Sequence, residues 1–181
     1  LFDRASSLAF AVPPTTLFLV GLRPDGEIAV FERRFDKTMG VAMEGTDRLW
    51  LGTRTHLWRL DSFPVADEDA DEGFDRQFVP QRAYTTGYLN THDVSVDPNG
   101  DIVFVATRFS CLARPSETAS FEPVWQPPWL SRFGPGDRCH LNGYAANGSD
   151  SYVTSVSATD GLESWRDHRS GGGVITHVGS G

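Results

Sequence analysis

The chain has 181 residues, 39% of them hydrophobic, enough to bury a sizeable single-domain core and too many for disorder over most of its length. Sixteen basic against 24 acidic residues leave a formal charge of -8, which repels phosphate backbones and anionic lipid and disfavours a nucleic-acid or membrane-surface partner. No apolar run reaches the ~20 residues of a spanning helix, the run near Leu17 to Leu22 being broken by Gly21 and Arg23.

In chain order, Leu17 to Leu22 and Glu27 to Phe31 flank a Pro24-Asp25-Gly26 turn and read as a hairpin. Further strand, turn, strand units follow at Gly40 to Thr53, Asp93 to Thr107 and Gly143 to Ser155. Aligned on their turns, Val41, Val94 and Tyr144 begin the first strands, and Trp50, Phe104 and Tyr152 share an aromatic place in the second. Thr53-Arg54 recurs as Thr107-Arg108. A period of about 50 residues built from short strands is the signature of β-propeller blades, none of which can bury both faces without neighbours. The expected fold is therefore all-β: a partial propeller of three to four blades of four-stranded antiparallel sheet, over residues 1–181 as one domain, part of a longer ring. A β-sandwich is the competing reading, but sandwich strands share no such internal register. Two insertions are expected as loops, an acidic one at 61–78 and a proline-rich one at 121–138. A last strand, Val174 to Val178, stops shortly before Gly181, and a ring closed within this length would be cramped; completion by a second polypeptide or a missing half is the expected partner relation.

In a propeller the loops leading into the innermost strands point at the channel mouth. Here they are Lys37-Thr38-Met39-Gly40, Asn90-Thr91-His92-Asp93 and His140-Leu141-Asn142-Gly143. Alternation along an extended chain puts Asn90 with His92 and His140 with Asn142 on common faces. Three readings stay open for these residues. The histidines can satisfy neighbouring backbone; Asn90, His92, Asp93, His140 and Asn142 can line a hydrogen-bonding pocket for a polar small molecule; or His92, His140 and Asp93 can hold a divalent metal. Asp137 to Gly143 packs acid, base, thiol and imidazole into one run. Cys139 beside Arg138 and His140 is a candidate reactive thiol, against which stands the placement of adjacent strand residues on opposite faces. The repeated Arg54 and Arg108 read as rim cations, each paired with a neighbouring acid. Only Cys111 and Cys139 are present, without C-x-x-C spacing, so a soluble protein of a reducing, intracellular-type compartment is favoured. The acidic run from Asp67 fails the calcium-loop pattern because its glycine is one place late and Phe78 stands where the bidentate glutamate belongs. No P-loop, dinucleotide fingerprint, nucleophile elbow or H-E-x-x-H run occurs.

Several runs, among them Val79 to Gly87, Phe109 to Ala113, Phe121 to Pro128 and above all Asp137-Arg138-Cys139-His140-Leu141-Asn142-Gly143, resemble an uncharacterised family of β-propeller proteins. Its members are of unknown function and sometimes carry tetratricopeptide repeats. The resemblance implies a chain about twice as long, whose second half carries a Pro-His-Ser-Pro-Arg type run that does not occur here. Asn142-Gly143 also looks similar to a channel-mouth position of metal-dependent lactonases in the wider six-bladed superfamily. The expected function is thus a binding or scaffolding segment with a polar ligand site, and the alternative is a metal-dependent hydrolase.

Overall fold

A computed structural model describes residues 7–12, 15–23, 25–65 and 76–180. Four antiparallel sheets follow one another along the chain. The first holds β1 (Ser7–Val12), β2 (Thr16–Leu22) and β3 (Ile28–Arg34). The second holds β4 (Met39–Glu44), β5 (Arg48–Gly52), β6 (His56–Pro64) and β7 (Arg76–Thr85). The third holds β8 (Thr91–Val96), β9 (Ile102–Ala106), β10 (Cys111–Arg114) and β11 (Glu122–Trp125), and the fourth β12 (Leu141–Asn147), β13 (Asp150–Ser155) and β14 (Val174–His177). Each sheet is a meander, and the leading strands pack together, β4 against β1 and β8, and β8 against β12. This is the blade arrangement of a β-propeller, as the repeat predicts.

The middle strands explain how the blades adhere. Successive residues of a strand point to opposite faces, so β5 and β9 serve two interfaces at once. Leu49 and Leu51 pack with Leu17 of the first blade, whereas Trp50 packs with Val94 and Phe104 of the third. Val103 and Val105 in turn enter the core formed with Cys139, Leu141 and Val153 of the fourth. Strands covered on both sides read as continuous apolar runs, and Ile102–Ala106 is buried throughout. The pairings Val41 with Leu51, Val94 with Phe104 and Tyr144 with Val153 show that Phe104 corresponds to Leu51 and Val153. Trp50 corresponds instead to Val103 and Tyr152, so alignment by aromatic letters slips one residue, which exchanges the two interfaces. The terminal blades have one neighbour each, and their outer faces expose Ile28 and Val30 on one, Tyr152 and Ile175 on the other.

Both expected insertions are smaller than 61–78 and 121–138. β6 runs to Pro64 and β7 begins at Arg76, with Ser62 and Phe63 paired to Phe78 and Gln77; the acidic run itself lies in 66–75, outside the described residues. The proline-rich stretch contains β11, the edge strand of its blade, and an edge is where a strand tolerates Pro123 without its N–H.

One local device recurs in three blades. Lys37, Asn90 and His140, the residues leading into β4, β8 and β12, all have left-handed backbone, with φ of 54°, 53° and 51°. The next residues, Thr38, Thr91 and Leu141, turn inward and are buried, and each leading strand then carries a register shift against its partner. Close approach of the leading strands requires glycine at position 40. A Cβ there would lie 2.7 Å from the Asp93 backbone carbon, at a φ of +58°. Gly45 has a similar φ of +62° but open space around it. Gly40→Ala is expected to lower the urea midpoint well beyond Gly45→Ala, which carries only the left-handed penalty of about 1–2 kcal/mol; equal losses would show that the approach of β4 to β8 costs nothing.

Candidate functional site

The left-handed residues turn three side chains toward one another. The Lys37 ammonium donates to Asn90 Oδ1 and, at 3.0 Å, to the Tyr88 hydroxyl. Its hold on the amide oxygen turns the amide nitrogen of Asn90 to His92 Nε2, 3.1 Å away. An amide N–H can only donate, so Nε2 accepts and the proton of His92 sits on Nδ1. Burial, chiefly, with the nearby His140 and Lys37 charges, pulls the His92 pKa down to about 4, against the opposing pull of Asp137 and a hydrogen bond with the Asn142 side chain. His92 is therefore a neutral imidazole at physiological pH.

His140 meets His92 edge to face, with ring centroids 4.8 Å apart and planes at 84°. Its Nδ1 faces Asp137 Oδ2 at 2.8 Å, and its ring lies 4.0 Å from that of Trp165, in a short 3-10 turn (Ser164–His168) between β13 and β14. A carboxylate on Nδ1 orients the ring and leaves Nε2 to accept a proton or hold a ligand atom. The loop before β12 is thereby explained residue by residue. Asp137 orients His140; Arg138 is buried and anchors the loop through Asp160 Oδ1 at 3.1 Å; Cys139 and Leu141 enter the core; Asn142 stays exposed beside His92. Gly143 leaves room for Thr154 Oγ1, to which its N–H donates at 2.9 Å.

Of the residues expected at the site, Asn90, His92, His140 and Asn142 come together. Asp93 does not face the imidazoles as a free ligand. Its Oδ1 accepts from the Val94 N–H and its Oδ2 from the Tyr144 N–H, both at 2.9 Å, clamping the third blade to the fourth. Burial raises its pKa, and the two amides oppose the rise. Cys139 is fully buried and its thiol is pushed up to about 11 by burial, which makes it a core side chain and no thiolate nucleophile at neutral pH. Cys111 is likewise buried, its thiol at about 12. Among the described residues no three or more His, Cys, Asp and Glu side chains are grouped to hold a metal ion. Lys37, Tyr88, Asp137 and Trp165 belong to the site although none of them was among the ligand-binding residues expected. Only Lys37 and Asp137 had a signal: Lys37 aligns with Asn90 and His140, and Asp137 stands three residues before His140.

A family model described as a domain of unknown function, DUF4915, matches residues 2–181, and the chain belongs to that family. No curated protein matches it. Among solved structures, selenomethionine-substituted virginiamycin B lyase from Staphylococcus aureus matches at 10% identity and a TM-score of 0.43, covering 98% of this chain and 57% of that one. A streptogramin B lyase structure matches at 11% identity and a TM-score of 0.41, covering 98% and 70%. The chain thus spans less than two thirds of the first of these. At such values no chemistry transfers, and the fold rests on the strand order described above. No helix among the described residues is long and apolar enough to cross a membrane.

The neutral His92 makes stability depend on pH with a definite sign. The folded chain takes up this proton only near pH 4, an unfolded histidine near 6.5, so between these values the unfolded state binds more protons. The contribution is complete above about pH 6.5 and is lost as the pH falls toward 4. In an NMR titration of the imidazole carbons, Lys37→Met is expected to raise the His92 pKa and Asn142→Ala to lower it further. Titration of wild-type His92 near 6.5 would contradict the assignment.

Proposed function

We propose that this DUF4915 chain is a binding segment of a propeller. Its inner-strand loops form a site for a polar small molecule, and its terminal blades are covered by further blades from another polypeptide or from more of the same chain. The observation that carries the reading is the unbroken line of contacts from Lys37 through Asn90 and His92 to His140 and Asp137, drawn from three blades. A line of this kind offers an ammonium, an amide, a neutral imidazole and an oriented imidazole to one ligand, on strands whose loops are fixed by backbone geometry. Completion by further blades is supported by the uncovered apolar faces holding Ile28 and Val30, and Tyr152 and Ile175. Screening a panel of polar metabolite-sized molecules by ligand-observed NMR is expected to give binders weakened at least tenfold by Asn90→Ala and by His140→Ala. The exposed variant Asp150→Asn should bind them as wild type does. Binders indifferent to the first two substitutions, or none at all, would count against the reading.

A metal-dependent hydrolase is the second reading, and one contact favours it. Asp137 holds Nδ1 of His140 and leaves Nε2 free, the arrangement in which a carboxylate supports a metal-ligating histidine. His92, being neutral, would lose no proton on coordination through Nε2, but that nitrogen would have to exchange the Asn90 amide for the metal. With Asp93 committed to backbone amides, Asn142 and the substrate are the remaining donors on this wall. On this reading, dialysis against Zn²⁺ leaves stoichiometric metal in the wild type and none in His92→Ala or His140→Ala. Retention in both variants would set it aside.

A further inference from the structure

Two successive blades treat the same arginine differently. Arg54 N donates to the Asp36 carbonyl at 2.8 Å and Arg108 N to the Leu89 carbonyl at 2.9 Å, so the two occupy equivalent backbone positions, each bonded to the residue just before the left-handed one. In the second blade that residue supplies a carboxylate, and Arg54 Nε pairs with Asp36 Oδ2 at 2.8 Å. In the third blade it is Leu89, buried in the core, and the expected rim ion pair of Arg108 is missing. The Arg108 guanidinium instead lies 5.4 Å from the centre of the Tyr88 ring, against which the Lys37 ammonium also lies, at 4.9 Å. Among the described residues no carboxylate lies within ion-pair distance of Lys37 or Arg108, while eight other arginines are so paired. Lys37 is moreover the only lysine of the chain, every other one of its sixteen basic residues being arginine. An ammonium carries three donors; two are used, on Asn90 and the Tyr88 hydroxyl, and one remains.

Two cations set against one tyrosine ring in a chain of net charge -8, where the neighbouring blade supplies an acid and this one does not, call for an anion from outside. We propose that Lys37 and Arg108, both set against the Tyr88 ring, form an oxyanion subsite that receives a carboxylate or phosphate group of the ligand, whose remainder extends over His92, Asn142 and His140. The subsite rests on the pocket reading above and gives its ligand a charge class. Arg108 is also well placed by its own backbone, because its carbonyl accepts from the N–H groups of Gly136 and Asp137 at 2.9 Å, which ties the subsite to the loop orienting His140. An anion seated there offsets the Lys37 charge that disfavours a protonated His92, so occupancy is expected to raise the His92 pKa.

Titration of the whole chain with inorganic phosphate and, separately, with succinate, at ionic strength held constant with sodium chloride, tests the proposal by NMR. At least one probe is expected to give saturable shifts at the amides of Lys37, Tyr88 and Arg108, and to move the His92 titration upward. Lys37→Met and Arg108→Gln should each weaken binding about tenfold or more, whereas Arg54→Gln, whose arginine already has its acid, should bind as wild type does. A response to phosphate alone assigns a phosphoryl group and a response to succinate alone a carboxylate, and either supports the subsite. No saturable binding of either probe, or binding indifferent to both Lys37→Met and Arg108→Gln, overturns it. If the metabolite screen instead yields uncharged ligands that need Asn90 and His140 while neither anion binds, the subsite fails and the pocket stands. If the anions bind as described in His140→Ala but no ligand ever depends on His140, the pocket fails and the subsite stands.

Discussion

Left-handed backbone at Lys37, Asn90 and His140 is the constraint on which this architecture turns. Each such residue costs about 1–2 kcal/mol when it carries a Cβ. Asparagine and histidine are among the residues that enter this region most readily, and lysine is not. Lys37 is held in the conformation by the strand it leads into. The reversal drives Thr38, Thr91 and Leu141 into the interior and starts a leading strand whose register shift recurs from blade to blade. The left-handed residues' own side chains make the contacts of the site. Packing of the blades and composition of the site thus depend on one backbone feature, used three times with three different side chains.

Charge and tautomer are linked along the resulting line. A single ammonium fixes the face of an amide, the amide fixes which nitrogen of His92 is bare, and burial keeps that imidazole uncharged. On the other side a carboxylate does the opposite work on His140, occupying its Nδ1 and aiming the rest of the ring at His92. Two histidines in edge contact therefore have unlike environments, one poor in negative charge and one supported by it. Unlike environments for like groups are what divide acid, base and hydrogen-bonding roles within a site.

Much of this was legible in the sequence because it rests on repetition. The blades follow from strand chemistry recurring about every 50 residues, whereas Asn90 meets His92, and His140 enters the site, through left-handed backbone ahead of β8 and β12 and not through the period-two alternation expected of them. What alternation misses lies where the chain departs from it. A register shift beside Asp93 turns its carboxylate to the next blade's backbone, and nothing in the letters marks a shift. Trp165 arrives from a 3-10 turn distant in sequence. Pro123 reads as loop, although an edge strand accommodates it. The missing acid beside Arg108 becomes visible only when two blades are superposed by their backbone bonds, since Leu89 by itself reads as an ordinary core residue.

The division of each middle strand between two interfaces has a consequence for how the chain comes apart. A blade is held through both faces of β5 or β9 in the second and third blades, but through one face only in the first and fourth. The assembly behaves as a short stack in which cohesion belongs to junctions more than to blades, as in repeat proteins. Amide exchange should then be graded by position, slowest at the buried run Ile102–Ala106 and faster at β3 and β14, whose outer residues Ile28 and Ile175 meet no neighbouring blade. Covering those faces would add two junctions and bring the outer blades into the cooperative unit of the inner pair. The line from Lys37 to Asp137, which crosses two junctions, would then sit in the interior of the cooperative unit and no longer near its margin.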